Sequence, residues 1–262
     1  MRGISRRQFL GAGAAAAALP FAPTGAISPQ SVLWIGDPAR GTSVFDGLER
    51  APGTITVADD PKDTYGQCFR YETWNNPDGT KARCESRGLR KPDGSVLRIN
   101  NDYLGKTQYI GWRALWNPMP TRPDSWLALY QAHVSGVTAP EVNVGPFVLR
   151  TLGDGRLYFQ HISPDGADRH IWSTSLRLNS WNSFVIGYKL SRGSDGWVSF
   201  WYNGTQQQLS NGSTRYPGPT LWGTHVNHKW GVYRSGSNDG GTAAAYLNRA
   251  RLATSYAEAA PS

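Results

Sequence analysis

The chain has 262 residues and carries 27 Lys and Arg against 19 Asp and Glu, a net +8, with 11 Trp, 12 Tyr and only 2 Cys. Two thiols exclude a disulfide-stapled miniprotein and a thiolate zinc site. No long Lys/Arg run or nucleic-acid motif supports a nucleic-acid partner, and no apolar run reaches the ~20 residues of a membrane helix.

In chain order, Ser5-Arg6-Arg7-Gln8-Phe9-Leu10, the apolar run Gly11–Leu19 and the small residues Thr24-Gly25-Ala26 predict a twin-arginine export signal over residues 1–26. Export by that route carries folded protein across a bacterial membrane, so the remaining chain is expected to be secreted or periplasmic and free of the membrane. Setting aside Arg2, Arg6 and Arg7 leaves 24 basic against 19 acidic residues, a net +5 that suits an anionic ligand. Residues 31–256 are then expected to form one domain and 257–262 a C-terminal tail.

Runs rich in β-branched and aromatic residues, punctuated by Gly, Pro, Asn and Asp, predict strands. They fall near Thr54–Ala58, Tyr65–Thr73, Lys81–Gly88, Thr107–Leu115, Trp126–Val134, Pro146–Thr151 and Arg156–His161. Further strands are predicted near Trp181–Leu190, Gly196–Tyr202, Lys229–Ser235 and Thr242–Ala253. Gly196–Tyr202 is apolar on both faces, which predicts a central strand covered twice. No segment sustains a helical period. The expectation is an all-β, antiparallel two-sheet jelly-roll sandwich with a concave cleft. Cys68 and Cys84 flank a turn at Asn76-Pro77-Asp78-Gly79. Export permits a disulfide there, strand alternation opposes it, and the pairing stays open.

Alternation also gathers polar chemistry on single faces. Arg83, Glu85 and Arg87 share one side of a strand, Gln131 and His133 one side of another, and Lys229, Gly231 and Tyr233 one side of a third. Hydrolysis of a glycoside needs two carboxylates at a set separation, and no strand here carries such a pair. Elimination from a uronate needs different groups. Hydrogen bonds or cations neutralise the carboxylate, a base takes the C5 proton, and an acid protonates the departing O4. Gln131 with an arginine, His133 or Tyr233, and Tyr233 can fill those places. Lys229 and Arg234 would ease ionisation of Tyr233. Against this stand plainer roles: a strand histidine or tyrosine that packs, a solvated charge ladder at Arg83-Glu85-Arg87, and core packing for most tryptophans.

These segments resemble the heparin lyase I-like polysaccharide lyases, which include glucuronan lyases and share motif logic with sandwich-fold alginate lyases. The resemblance runs from about Tyr65 to Tyr256 and is carried by four stretches. Arg83-Cys84-Glu85-Ser86-Arg87 matches an Arg-x-Glu-x-Arg strand, and Tyr130-Gln131-Ala132-His133 a Gln-x-His strand. Trp181 to Gly204 matches a strand pair, and Lys229-Trp230-Gly231-Val232-Tyr233-Arg234 leads to the closing strand Tyr246–Leu252. It implies a concanavalin A-like jelly roll acting on an anionic polysaccharide, as a monomer and without a required cofactor. Gln131 and Arg83 would neutralise the uronate, His133 would act as base or orienting group, and Tyr233 as acid. Arg87, Lys229, Glu85 and Arg234 would bind substrate, with Trp112, Trp116 and Tyr109 as platforms. Asn248 replaces an acidic residue frequent in the closing strand of the family, so a structural Ca2+ is not indicated. The modest charge favours a carboxylate-only polymer, glucuronan-like first and alginate second. A non-catalytic carbohydrate-binding sandwich is the competing expectation.

Overall fold

A computed structural model describes residues 31–76, 81–120, 122, 125–137, 145–235 and 240–262. The export signal and residues 77–79 of the predicted turn lie outside them. The strands are β1 (Val32–Gly36), β2 (Gly47–Ala51), β3 (Thr54–Asp59), β4 (Gln67–Thr73), β5 (Ala82–Arg87), β6 (Leu89–Arg90), β7 (Val96–Leu97) and β8 (Ile99–Asn100). There follow β9 (Thr107–Trp116), β10 (Leu127–Ser135), β11 (Phe147–Thr151), β12 (Arg156–Ile162), β13 (Asp168–Ser175) and β14 (Asn182–Lys189). The last are β15 (Trp197–Tyr202), β16 (Thr205–Gln206), β17 (Tyr216–Pro217), β18 (His225–Arg234) and β19 (Ala243–Ala253), before one helical turn, α1 (Tyr256–Ala259).

Two antiparallel sheets form a sandwich. The first runs β16-β15-β14-β9-β19-β4-β3, with β1 on β19 and β17 on β15. The second runs β13-β12-β11-β10-β18-β5-β2, with β8 on β18. Each sheet turns alternate residues inward, and the facing layers interlock through aromatic rings. Trp112 of β9 stacks on Tyr130 of β10 at 4.4 Å, and Trp34 of β1 stacks on Trp230 of β18 at 5.6 Å. Phe159 of β12 meets Phe200 of β15 at 4.5 Å. Such pairs add about 0.5–1.5 kcal/mol each beyond area burial. Polar bonds also cross the core: the buried His228 ring lies 2.7 Å from the Tyr130 hydroxyl and 3.1 Å from that of Tyr188 on the opposite sheet.

Several expectations are corrected by this packing. Trp112 and Trp116 are core residues, 1% exposed, because both point between the sheets, so neither is a sugar platform. Tyr109 lies on the outer face of the first sheet against Trp201, away from the second sheet. The Cys68–Cys84 pairing, left open by the sequence, is not formed: both thiols are free, Cys84 pointing into the core from the second sheet and Cys68 lying on the outer side of the first. β15 is next to the sheet edge rather than central, and its outward Trp201 is covered by Tyr256, 4.9 Å away. That covering comes from the chain's end, which lies so close to β9 that a Cβ on Gly111 would meet the Ala259 carbonyl oxygen at 2.1 Å.

Candidate active site

β10, β18 and β5 lie side by side, with β2 at the sheet edge. Alternation sends Tyr130, Ala132, Trp230, Val232 and Cys84 into the core. It leaves Gln131, His133, Lys229, Gly231, Tyr233, Arg83, Glu85 and Arg87 on the outer face. Pairing sorts these into rows. Gln131, Lys229 and Arg87 form one row, and Gly231, Glu85 and Glu49 the next. Ala128, Tyr233 and Arg83 form a third, while His133 sits opposite Asn227 beyond the first. Rows are separated by two residues of strand, roughly 7 Å.

The middle row has a gap at Gly231. Its φ is 142°, and a Cβ would lie 2.1 Å from the Cys84 carbonyl oxygen, so backbone and space both demand glycine. Gly231 is itself buried, and its side-chain-free backbone forms the floor of the site, with Tyr233 on one side and Gln131 and His133 on the other.

Buried charge supports this floor. Lys229 Nζ lies 2.8 Å from Glu49 Oε2 and 2.9 Å from Glu85 Oε2. Arg83 Nη1 donates to Glu49 at 2.9 Å, and Arg87 Nη1 is 3.7 Å from the same carboxylate. Gln131 Nε2 donates to Glu85 Oε1 at 2.6 Å, which fixes the amide and leaves its second N–H and its oxygen for a ligand. Burial holds the Glu85 carboxyl above its ordinary value, against the pull of Lys229, Gln131 and Arg83. Burial would raise Glu49 too, yet Lys229 and Arg83 hold it below the usual range. His133 is pushed down to about 4, first by burial and then by Lys229, Arg83 and Arg87, so it is a neutral imidazole near pH 7. Tyr233 is gripped on two sides: the Arg83 guanidinium lies 4.0 Å over its ring, and Trp126 meets it edge-on at 4.9 Å.

The structure therefore brings Gln131, His133, Tyr233, Arg83 and Arg87 to one open face. Three other predicted contacts are corrected. Glu85 is 1% exposed, covered on the outer face by its neighbours, and holds Gln131 and Lys229 instead of touching substrate. Lys229 is equally buried, with its charge matched by two carboxylates. Arg234 follows Trp230 and Val232 to the inner side, where it donates to the Gly241 carbonyl and to Asn75 Oδ1. The sequence reading missed Glu49, which ties three cations together from the edge strand β2. It also missed Trp126 and Lys81, whose ammonium lies 5.8 Å over the Trp126 ring. A cavity of about 320 Å³ beside Tyr233 is lined by Glu49, Arg50, Ala51, Lys81 and Arg83. Among the described residues no group of three or more His, Cys, Asp or Glu is placed to hold a metal ion.

The fold is similar to that of an endo-β-1,4-glucuronan lyase from the fungus Trichoderma reesei, with a TM-score of 0.64 and 12% identity over 83% of this chain and 94% of that one. An alginate lyase from a Chlorella virus matches with a TM-score of 0.53 and 11% identity, covering 86% and 100%. A carbohydrate esterase from the Shiga toxin-encoding bacteriophage phi24B matches with a TM-score of 0.54 and 13% identity, covering 86% and 99%. At such identities the likeness speaks for the fold alone. No curated protein matches the chain in sequence. The profile of the polysaccharide lyase family, however, matches residues 42–251, which include every outer-face residue of the floor. The chain belongs to the polysaccharide lyase family.

Proposed function

We propose that this lyase cleaves a uronic-acid polysaccharide by β-elimination, taking a glucuronan-like polymer first and alginate second, and that residues 1–26 direct its export. The observation that carries the reading is the Gly231 floor, with a phenol, an imidazole and an anchored carboxamide around it. Arg83, Arg87 and the free N–H of Gln131 neutralise the carboxylate, which makes the C5 proton removable. The C5–H pair becomes the C4–C5 double bond, the C4–O4 bond breaks, and Tyr233 gives O4 its proton. Where H5 and O4 lie on opposite sides of the ring, His133 takes the C5 proton. Where they share a side, as in glucuronate, Tyr233 as phenolate serves both steps and His133 orients it. Either route needs a neutral imidazole. Of the floor's cations, Arg83 and Lys229 are closely matched by Glu49 and Glu85, and Arg87 is the one about half exposed. That supply suits one carboxylate per unit better than the dense sulfates of heparin.

Glucuronan, alginate, hyaluronan and heparin, each incubated with the protein, provide the test through ultraviolet absorbance of the unsaturated product. Glucuronan is expected to give the fastest growth, alginate a slower one, and Tyr233→Phe none while still binding polymer. Absence of absorbance with every polymer overturns the reading, as does full activity of the Tyr233→Phe chain.

A further inference from the structure

The outer face of the first sheet, on the far side of the sandwich from Tyr233, holds a second recess of about 390 Å³. Asp37, Tyr65, Asn248, Arg249 and Arg251 line it, with Ile35, 46% exposed, at its rim. The pairing of β19 with β9 is irregular between Asn248 and Arg251, and Arg249 sits at φ 54°, in the left-handed region. This break lets consecutive side chains reach the same side of the sheet.

Asn248 is the informative residue. It is 3% exposed, and its Nδ2 donates to the Gln67 carbonyl at 2.7 Å, which settles which way the amide faces. Its Oδ1 is then a buried acceptor with no partner among the described residues. Such an atom is costly unless a ligand or water supplies a donor. Arg249 and Arg251 form no ion pair among the described residues, so two guanidinium charges at the same recess are unmatched. The one acid, Asp37, accepts from the Ala39 N–H at 3.0 Å. Beside Asn248, Arg113 lies 4.0 Å over the Tyr65 ring, and Tyr65 meets Trp181 edge-on at 5.7 Å. A smaller cavity of about 210 Å³ continues past Tyr65 along Arg113 and Trp181. The arginines repel a metal cation. They match a carboxylate, Asn248 matches a hydroxyl, and Tyr65 offers an aromatic edge beside both.

We infer that this recess is a second, non-catalytic binding site for a uronate unit, holding polymer on the face opposite the cleft; it rests on the uronate reading above. It acts as an anchor: one chain molecule can engage both faces, so long polymers are retained more strongly than short ones.

The test uses the full chain carrying Tyr233→Phe, so that glucuronan survives, with migration in native gels cast with and without that polymer. Retardation is expected, and adding Arg249→Asn with Arg251→Gln should weaken it roughly tenfold in apparent affinity. Asn tolerates the left-handed backbone at position 249, and Arg249→Asn alone should give a smaller loss. In the chain with Tyr233 intact, the arginine pair should leave kcat/KM on a glucuronan tetrasaccharide within twofold. Retardation unchanged by the pair overturns the inference, as does an equal loss of tetrasaccharide turnover. The lyase reading fails separately, by absence of unsaturated product from the unsubstituted chain.

Discussion

The protonation of His133 gives the sharpest check on the site. Burial, Lys229, Arg83 and Arg87 lower its pKa to about 4 from 6.5, a drop that Glu49 only partly opposes. At pH 5.5 an imidazole with the ordinary pKa is about 90% protonated, whereas one at about 4 is roughly 3% protonated. If neutral His133 is required, kcat/KM at pH 5.5 should remain near its plateau, about tenfold above what an unperturbed histidine would allow. Initial rates on dilute guluronate-rich alginate, where H5 and O4 lie on opposite sides and His133 is the assigned base, report this directly between pH 4 and 8 when read by ultraviolet absorbance. Tryptophan fluorescence in the same buffers separates loss of fold from loss of activity. The acid limb should fall near pH 4, and Arg87→Gln should move it upward, since that cation helps hold the proton off. A limb centred near 6.5, or one unmoved by Arg87→Gln, would refute the electrostatic argument.

Glu49→Gln should cost about 2 kcal/mol in urea unfolding at neutral pH, because Lys229 and Arg83 lose their shared partly buried acid; a loss under about 0.5 kcal/mol would make Glu49 a bystander. Burial lowers His228 to about 3, so the unfolded chain binds a proton that the folded chain refuses as pH falls below 6.5. Its contribution is whole above about 6.5 and should shrink by about 2 kcal/mol between pH 7 and 5. His228→Gln should lower stability at pH 7 but flatten that slope; parallel profiles for the two chains would contradict it.

Strand alternation made the floor legible. Once Lys229, Gly231 and Tyr233 were placed on one face, the outer faces of β10 and β5 followed from the same period-two pattern at Gln131, His133, Arg83 and Arg87, whereas the register that aligns them came only with the structure. Arg234 shows the rule holding against motif proximity: it adjoins Tyr233 in sequence and therefore points the other way. Trp112 and Trp116 were misread because aromatic content alone does not tell an inner face from an outer one. Glu49 was invisible for another reason. Gly47-Leu48-Glu49-Arg50-Ala51 carries no β-branched or aromatic residue, so its strand forms through pairing with β5 and not through local preference. The edge strand Asp168–Ser175 was missed likewise, being polar over much of its length.

Gly231 has a consequence for how this enzyme can change. Any side chain introduced there collides with β5 before it meets a sugar, so mutation cannot narrow or reshape the base of the cleft at that position. Under the proposed reading, new substrate preferences arise instead at the rim, from Arg87, Lys81 and Trp126, while the backbone at Gly231 stays constant.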